Sequence, residues 1–216
     1  MLLYCTETNE VTDEMYKSFF DFADDERKAK IKRYRQHGDK VLSAVSYVLL
    51  RYALHINGYD GTYSIVYNEY GKPFFEDKSV FFNISHTKGA VACAVKDIPV
   101  GVDIQKKVGN YEAVMRRVCT DREKEAIAVS ADPCLEFTTL WTLKESILKC
   151  IGTGIAGTMT KYDFSENKTE NGKYKLVTIC DGENILSACA QTPFSLVKKI
   201  TVRELYEFCK SKQQPL

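Results

Sequence analysis

Apolar positions Val41, Ala44, Val45, Val48, Leu49 and Tyr52 recur at helical spacing, which predicts a helix from about Asp39 to Ile56 that stops at Gly58. The period then falls to two. Tyr63-Ser-Ile-Val-Tyr67 alternates, Asn68-Glu-Tyr-Gly-Lys-Pro73 has turn composition, and Val80 to Ile84, Ala90 to Val95 and Val100 to Ile104 are short β-branched runs that predict strands. Upstream, Asp24 to Arg35 reads DDERKAKIKRYR, a basic helix with carboxylates in its first turn. After Asn110 the helical period returns. Thr120-Asp-Arg-Glu123 fits a capping box, and Pro133 opens the longest helical stretch, which reaches Cys150 and ends at Gly152. Strands follow at Tyr174 to Cys180, Ile185 to Gln191 and Val197 to Val202, then a short helix near Glu204 to Lys210.

This order repeats. LSAVSYVLLRYALHING (42 to 58) is echoed by FTTLWTLKESILKCIG (137 to 152), and GAVACAV (89 to 95) more faintly by ILSACAQ (185 to 191). A period this long excludes a solenoid and predicts an α+β fold of two similar lobes packed as a pseudo-dimer. The expected division is residues 1–100 and 101–216, with a ligand cleft between the lobes.

Composition narrows the class. The 216 residues carry 30 Lys+Arg against 29 Asp+Glu, so the net charge of +1 excludes a bulk polyanion binder, and the basic run at 24–35 alone does not make a nucleic-acid surface. At 44% hydrophobic and 27% charged residues the chain is expected to fold as a globular protein. The start, MLLYCTETNE, lacks a basic signal region and no stretch has the apolar length of a membrane span, so a cytoplasmic protein without membrane contact is expected. Eight scattered cysteines without C-x-x-C argue for reduced, mostly buried thiols over zinc or disulfides.

Four segments could carry chemistry. In Val100-Gly-Val-Asp-Ile-Gln105, Asp103 and Gln105 share one side of an extended chain, a pair of oxygen donors suited to a hard cation such as Mg²⁺; a lone strand Asp is otherwise a hydrogen-bonding or turn residue. In Trp141-Thr-Leu-Lys-Glu-Ser-Ile-Leu-Lys149, Trp141, Glu145 and Lys149 lie i, i+4, i+8 on one helix face. They read either as a surface ion pair beside a core Trp or as charges lining a cleft. Ser85 and His86 end a strand, where neighbours point to opposite faces, and no Gly-x-Ser-x-Gly elbow is present. A phosphate-holding loop fits them better than a serine hydrolase. Gly152-Thr-Gly-Ile-Ala-Gly157 matches a dinucleotide fingerprint in letters, but it follows a helix, so it reads as a C-cap and turn.

Taken together, Tyr70-Gly-Lys-Pro73, Phe82-Asn-Ile-Ser-His86, Val100-Gly-Val-Asp-Ile104 and Trp141-x-x-Lys-Glu-Ser146 with Lys149 resemble, in order and spacing, the 4′-phosphopantetheinyl transferases of the larger, pseudo-dimeric type similar to those serving peptide synthetases. The resemblance spans roughly Asp24 to Gly154. It implies a two-lobed fold and transfer of the 4′-phosphopantetheine arm of coenzyme A to a serine of an acyl, peptidyl or polyketide carrier protein, with Mg²⁺ as cofactor and release of 3′,5′-ADP; a two-lobed chain can complete its own cleft, so a monomer is expected. It also implies roles: Asp103, Gln105 and Glu145 as metal ligands, Glu145 as general base, and Lys149 on the pyrophosphate. Ser85 and His86 become phosphate contacts, Tyr70, Gly71 and Lys72 the adenine-side wall, and Arg27, Lys30 and Ser43 the holders of the 3′-phosphate. Gln105 departs from the family, which often has Glu there. That loss of a carboxylate leaves a second expectation open, a non-catalytic module of the same fold that binds coenzyme A or a carrier protein.

Overall fold

Four helix starts in this chain are written in short polar side chains. In the computed structural model, which describes residues 1–61, 64–154 and 159–213, Thr12, Asp24, Thr120 and Asp132 each accept a hydrogen bond from the backbone N–H three residues on. Tyr63 of the alternating run, Gly157 of the glycine motif and Thr158 lie outside the described residues. The first half contains β1 (Leu2–Cys5), α1 (Asp13–Phe22), α2 (Asp25–Arg33), α3 (His37–Ile56), β2 (Ile65–Tyr67), β3 (Pro73–Phe75), β4 (Phe81–Thr87) and β5 (Ala90–Lys96). The second contains β6 (Val100–Lys106), α4 (Glu112–Val118), α5 (Asp121–Val129), α6 (Pro133–Ile151), β7 (Glu170–Asn171), β8 (Tyr174–Asp181), β9 (Asn184–Ala190), β10 (Val197–Lys199) and α7 (Val202–Gln213). No described helix is long and apolar enough to cross a membrane. All eight cysteines are free.

The fold is α+β, with two similar units. One four-stranded sheet runs β10-β1-β5-β4 and the other β6-β9-β8-β7, while β2 and β3 form a separate ribbon. Each sheet packs one face on a long helix. Val91, Cys93 and Val95 of β5 meet the apolar stripe of α3, and Cys189 of β9 meets Phe137, Leu140, Leu143 and Ile147 of α6. The alternate positions, Ala90, Ala92 and Ala94 against Ala188 and Ala190, share a third core with Val100, Val102 and Ile104. The echoed alanines therefore lie where the two sheets meet, and their short side chains allow a close approach.

Three features depart from expectation. The first 23 residues, which carried no predicted elements, form β1 and α1; Met15 and Phe19 lie at i, i+4 spacing and pack into the first core. The expected strand 197–202 stops at Lys199, because Thr201 and Glu204 form a reciprocal cap: Thr201 N donates to Glu204 Oε2 at 2.8 Å and Glu204 N donates to Thr201 Oγ1 at 3.1 Å. The helix accordingly starts at Val202. The expected second lobe, 101–216, does not keep its C-terminus. β10 pairs in parallel with β1, and Ile200, Val202, Leu205 and Cys209 are buried in the first core, because the edge of β1 and the α1–α3 surface need covering.

Candidate active site

Where the two sheets adjoin, edge strands β4 and β6 are joined by side chains instead of a backbone ladder. Asn83 Oδ1 accepts from Val102 N at 2.8 Å, and Ser85 Oγ accepts from Ile104 N at 3.3 Å. Both residues are buried and share one face of β4. They satisfy donors that an edge strand would leave open, and they bring Ser85 to Asp103.

Asp103 sits on β6 at 1% exposure, and its Oδ1 accepts from Ser85 Oγ at 2.8 Å and from Lys149 Nζ at 2.5 Å. Lys149 Nζ also donates to Ser85 Oγ at 3.1 Å. The cation of α6 is thus paired across the site, which removes the reading of Glu145 and Lys149 as a surface pair. Glu145 is itself buried at 8% exposure, and its Oε1 has no hydrogen-bond partner among the described residues. Burial, and then the charge of Asp103, push its pKa above the usual carboxylate range against the pull of Lys149. Gln105 Nε2 donates to Asp103 Oδ2 at 3.4 Å, so the two share a strand face as alternation requires. Two carboxylates and an amide oxygen make a donor set for a hard cation, and the orphaned Oε1 of Glu145 fits a ligand that the chain does not supply. Among the described residues no three His, Cys, Asp or Glu side chains converge; the further side chain beside Asp103 is the amide of Gln105.

Gly101 makes this geometry possible. A Cβ there would stand 2.0 Å from Ser146 O and 2.3 Å from Cys150 N, so α6 lies directly on the β6 backbone. Sequence reasoning passed over this glycine, although a lone Gly in an apolar strand is the usual mark of close approach. It also passed over Lys144, which is fully buried and donates to Glu123 Oε2 at 2.6 Å and to Val118 O at 2.8 Å. Glu123 in turn accepts from Phe164 N at 3.0 Å. A charge facing the apolar side of a helix was the available signal.

The basic residues lie nearby on the first sheet's side. Arg27, Lys30, Tyr47, Tyr67 and Gly71 line a cavity of about 220 Å³. Arg27 Nη2 donates to Ser43 O at 2.7 Å, while Arg27 Nε and Ser43 Oγ are buried without partners among the described residues. Burial lowers the pKa of both Arg27 and Lys30. Tyr70 is exposed and, with Gly71, Lys72 and Lys149, borders a smaller cavity of about 160 Å³, so Gly71 edges both. The ammonium of Lys72 faces elsewhere, onto the carbonyls of Val100 and Cys150. His86 points away from Ser85 into a third groove by the start of α3. Burial and the cations Lys149, Arg27 and Lys30 outweigh Asp39 and lower its pKa.

Residues 99–194, which hold Asp103, Glu145 and Lys149, match the sequence profile described as the 4′-phosphopantetheinyl transferase superfamily. The chain is also 28% identical over 179 residues to the 4′-phosphopantetheinyl transferase gsp of Aneurinibacillus migulanus, covering 81% of this chain and 75% of that one. Both matches support a transferase of this type. Other transferases of this kind are similar over shorter stretches. The 4′-phosphopantetheinyl transferase Sfp of Bacillus subtilis is 29% identical over 68% of this chain and 67% of its own, and the L-aminoadipate-semialdehyde dehydrogenase-phosphopantetheinyl transferase of Saccharomyces cerevisiae is 35% identical over 44% of this chain and 39% of its own. Together they support an enzyme of the phosphopantetheinyl transferase type, and the chain's two units are the two sheets with their long helices.

Proposed function

We propose that the protein transfers the 4′-phosphopantetheine arm of coenzyme A to a serine of an apo acyl, peptidyl or polyketide carrier protein, with Mg²⁺ as cofactor. The observation that carries this reading is the meeting of Asp103, Glu145 and Lys149 at the β4–β6 seam, with a carboxylate oxygen of Glu145 left without a partner. Similarity to the phosphopantetheinyl transferases supports it.

In the proposed reaction the serine Oγ attacks the pantetheine-side phosphorus of the pyrophosphate. The bond from that phosphorus to the bridging oxygen breaks, and 3′,5′-ADP leaves with that oxygen. Glu145 accepts the serine proton; its raised pKa brings it closer to neutrality, where a base keeps driving force without losing its available form. Lys149 neutralises charge on the leaving side from its place beside Ser85 and Asp103. Asp103, Glu145 and the amide oxygen of Gln105 would hold Mg²⁺, which would supply charge neutralisation at the pyrophosphate. Arg27 and Lys30 take the 3′-phosphate, with Ser43 behind Arg27, and Ser85 and His86 contact phosphate from the two faces of β4. Tyr70 and Gly71 border the adenine. One chain supplies every group, so a monomer suffices.

The test is incubation with coenzyme A, Mg²⁺ and a panel of apo carrier proteins, followed by intact mass of the carrier. A gain of one phosphopantetheine arm that disappears on chelation is the expected result. Coenzyme A binding with no mass gain on any carrier would instead assign the non-catalytic module.

A further inference from the structure

The C-terminus of α6 is capped from the other half of the chain. A helix leaves its last carbonyls without intrahelical partners. Two backbone carbonyls here find them on the turn between β2 and β3: Lys72 Nζ donates to Cys150 O at 3.1 Å, and Asn68 Nδ2 donates to Gly152 O at 2.8 Å. The same ammonium donates to Val100 O at 3.2 Å, at the first residue of β6. It also faces the negative end of the helix dipole. The turn that delivers these donors is internally fixed. Asn68 Oδ1 accepts from Tyr70 N at 3.0 Å and Lys72 N at 2.8 Å, Asn68 N donates to Lys72 O at 3.0 Å, and Gly71 reverses the chain at φ 79°.

The placement of this turn matters. Tyr67, Gly71 and Pro73, around it, line the cavity that holds Arg27 and Lys30. The elements it grips carry Asp103, Glu145 and Lys149, and Lys149 directly precedes Cys150. We propose that Lys72 and Asn68 form a clasp that fixes the Arg27–Lys30 cavity relative to the Asp103–Glu145–Lys149 site, so that a ligand reaching both is met by one preorganised surface. Both are positioning residues. The identity of that ligand as coenzyme A rests on the proposed function.

A ligand anchored at both ends gains from their fixed separation, whereas a fragment occupying one end does not. That difference separates a clasp from a direct contact. Lys72→Met keeps the aliphatic stem and removes the donors; Asn68→Asp keeps the turn-closing Oδ1 and removes the donor to Gly152. Calorimetry should show coenzyme A binding weakened by about tenfold or more in each variant. Binding of adenosine 3′-phosphate, which has nothing to reach α6, should stay within about twofold of wild type. Equal weakening for both ligands would make Lys72 a nucleotide contact, and no weakening for either would remove the clasp. If wild type binds neither ligand, the functional reading fails, and the clasp is judged by hydrogen exchange. Lys72→Met must then speed exchange in the last turn of α6 and leave α2 unchanged; unchanged exchange at α6 would overturn it.

Discussion

Replacing Gly101 by alanine adds one methyl group at the point where the enzyme tolerates least. The new Cβ would lie 2.0 Å from Ser146 O and 2.3 Å from Cys150 N, both backbone atoms, while real Cβ contacts stay beyond 3.0 Å. No side-chain rotation relieves this, so α6 must move off β6 by about 1 Å or more. Overpacking of this kind costs about 1–3 kcal/mol, and at this chain length each kcal/mol lowers Tm by roughly 2–4 °C. The same movement separates Glu145 and Lys149 from Asp103, to which Lys149 now lies at 2.5 Å. A misplacement of about 1 Å costs on the order of 10²-fold in rate. The assay is paired: thermal unfolding, and initial rates of carrier modification at a temperature where the variant is fully folded. Gly101→Ala should lose several degrees of Tm and on the order of 10²-fold in rate. A variant with wild-type Tm and wild-type rate would refute the argument that α6 rests on this glycine.

Three further outcomes are expected. Glu145→Gln should reduce transfer by about 10²- to 10⁴-fold. Because burial raises the folded pKa of Glu145 above its ordinary 4.5, its ionised form opposes folding, so the variant should unfold at a higher temperature than wild type near neutral pH, with the gap closing as pH falls toward 4.5; no gap at any pH would contradict the burial argument. Gln105→Glu adds a charge beside Asp103 and should lower the Mg²⁺ concentration for half-maximal rate by about tenfold; an unchanged Mg²⁺ dependence would take the metal off this strand. Lys144→Met leaves Glu123 buried without its cation and should cost about 3–5 kcal/mol in urea unfolding, most of it recovered by adding Glu123→Gln, whereas a wild-type urea midpoint for the single variant would show that the pair contributes little.

Local rules made much of this enzyme legible without coordinates. The stripe of α3, the start of α6 at Pro133 and its end at Gly152, the capping box at Thr120 and the β-branched runs of β4, β5 and β6 all act within a turn or a strand, so neighbouring residues suffice to determine them. The same holds for setting aside the glycine motif at 152–157, because the order of helix and loop is itself local. Tertiary structure decided what depends on free edges and unpaired charges. Lys149 has Glu145 one turn away, yet its partner is Asp103, 46 residues distant, because α6 lies against β6 over Gly101. Lys144, one position from Glu145, turns about 100° away on the helix and meets the buried Glu123. The last strand returns to β1, where an open edge and an uncovered apolar surface made pairing favourable. Each outcome depends on which donors, charges and faces remain unsatisfied once the two sheets meet, and spacing along the chain carries no record of that.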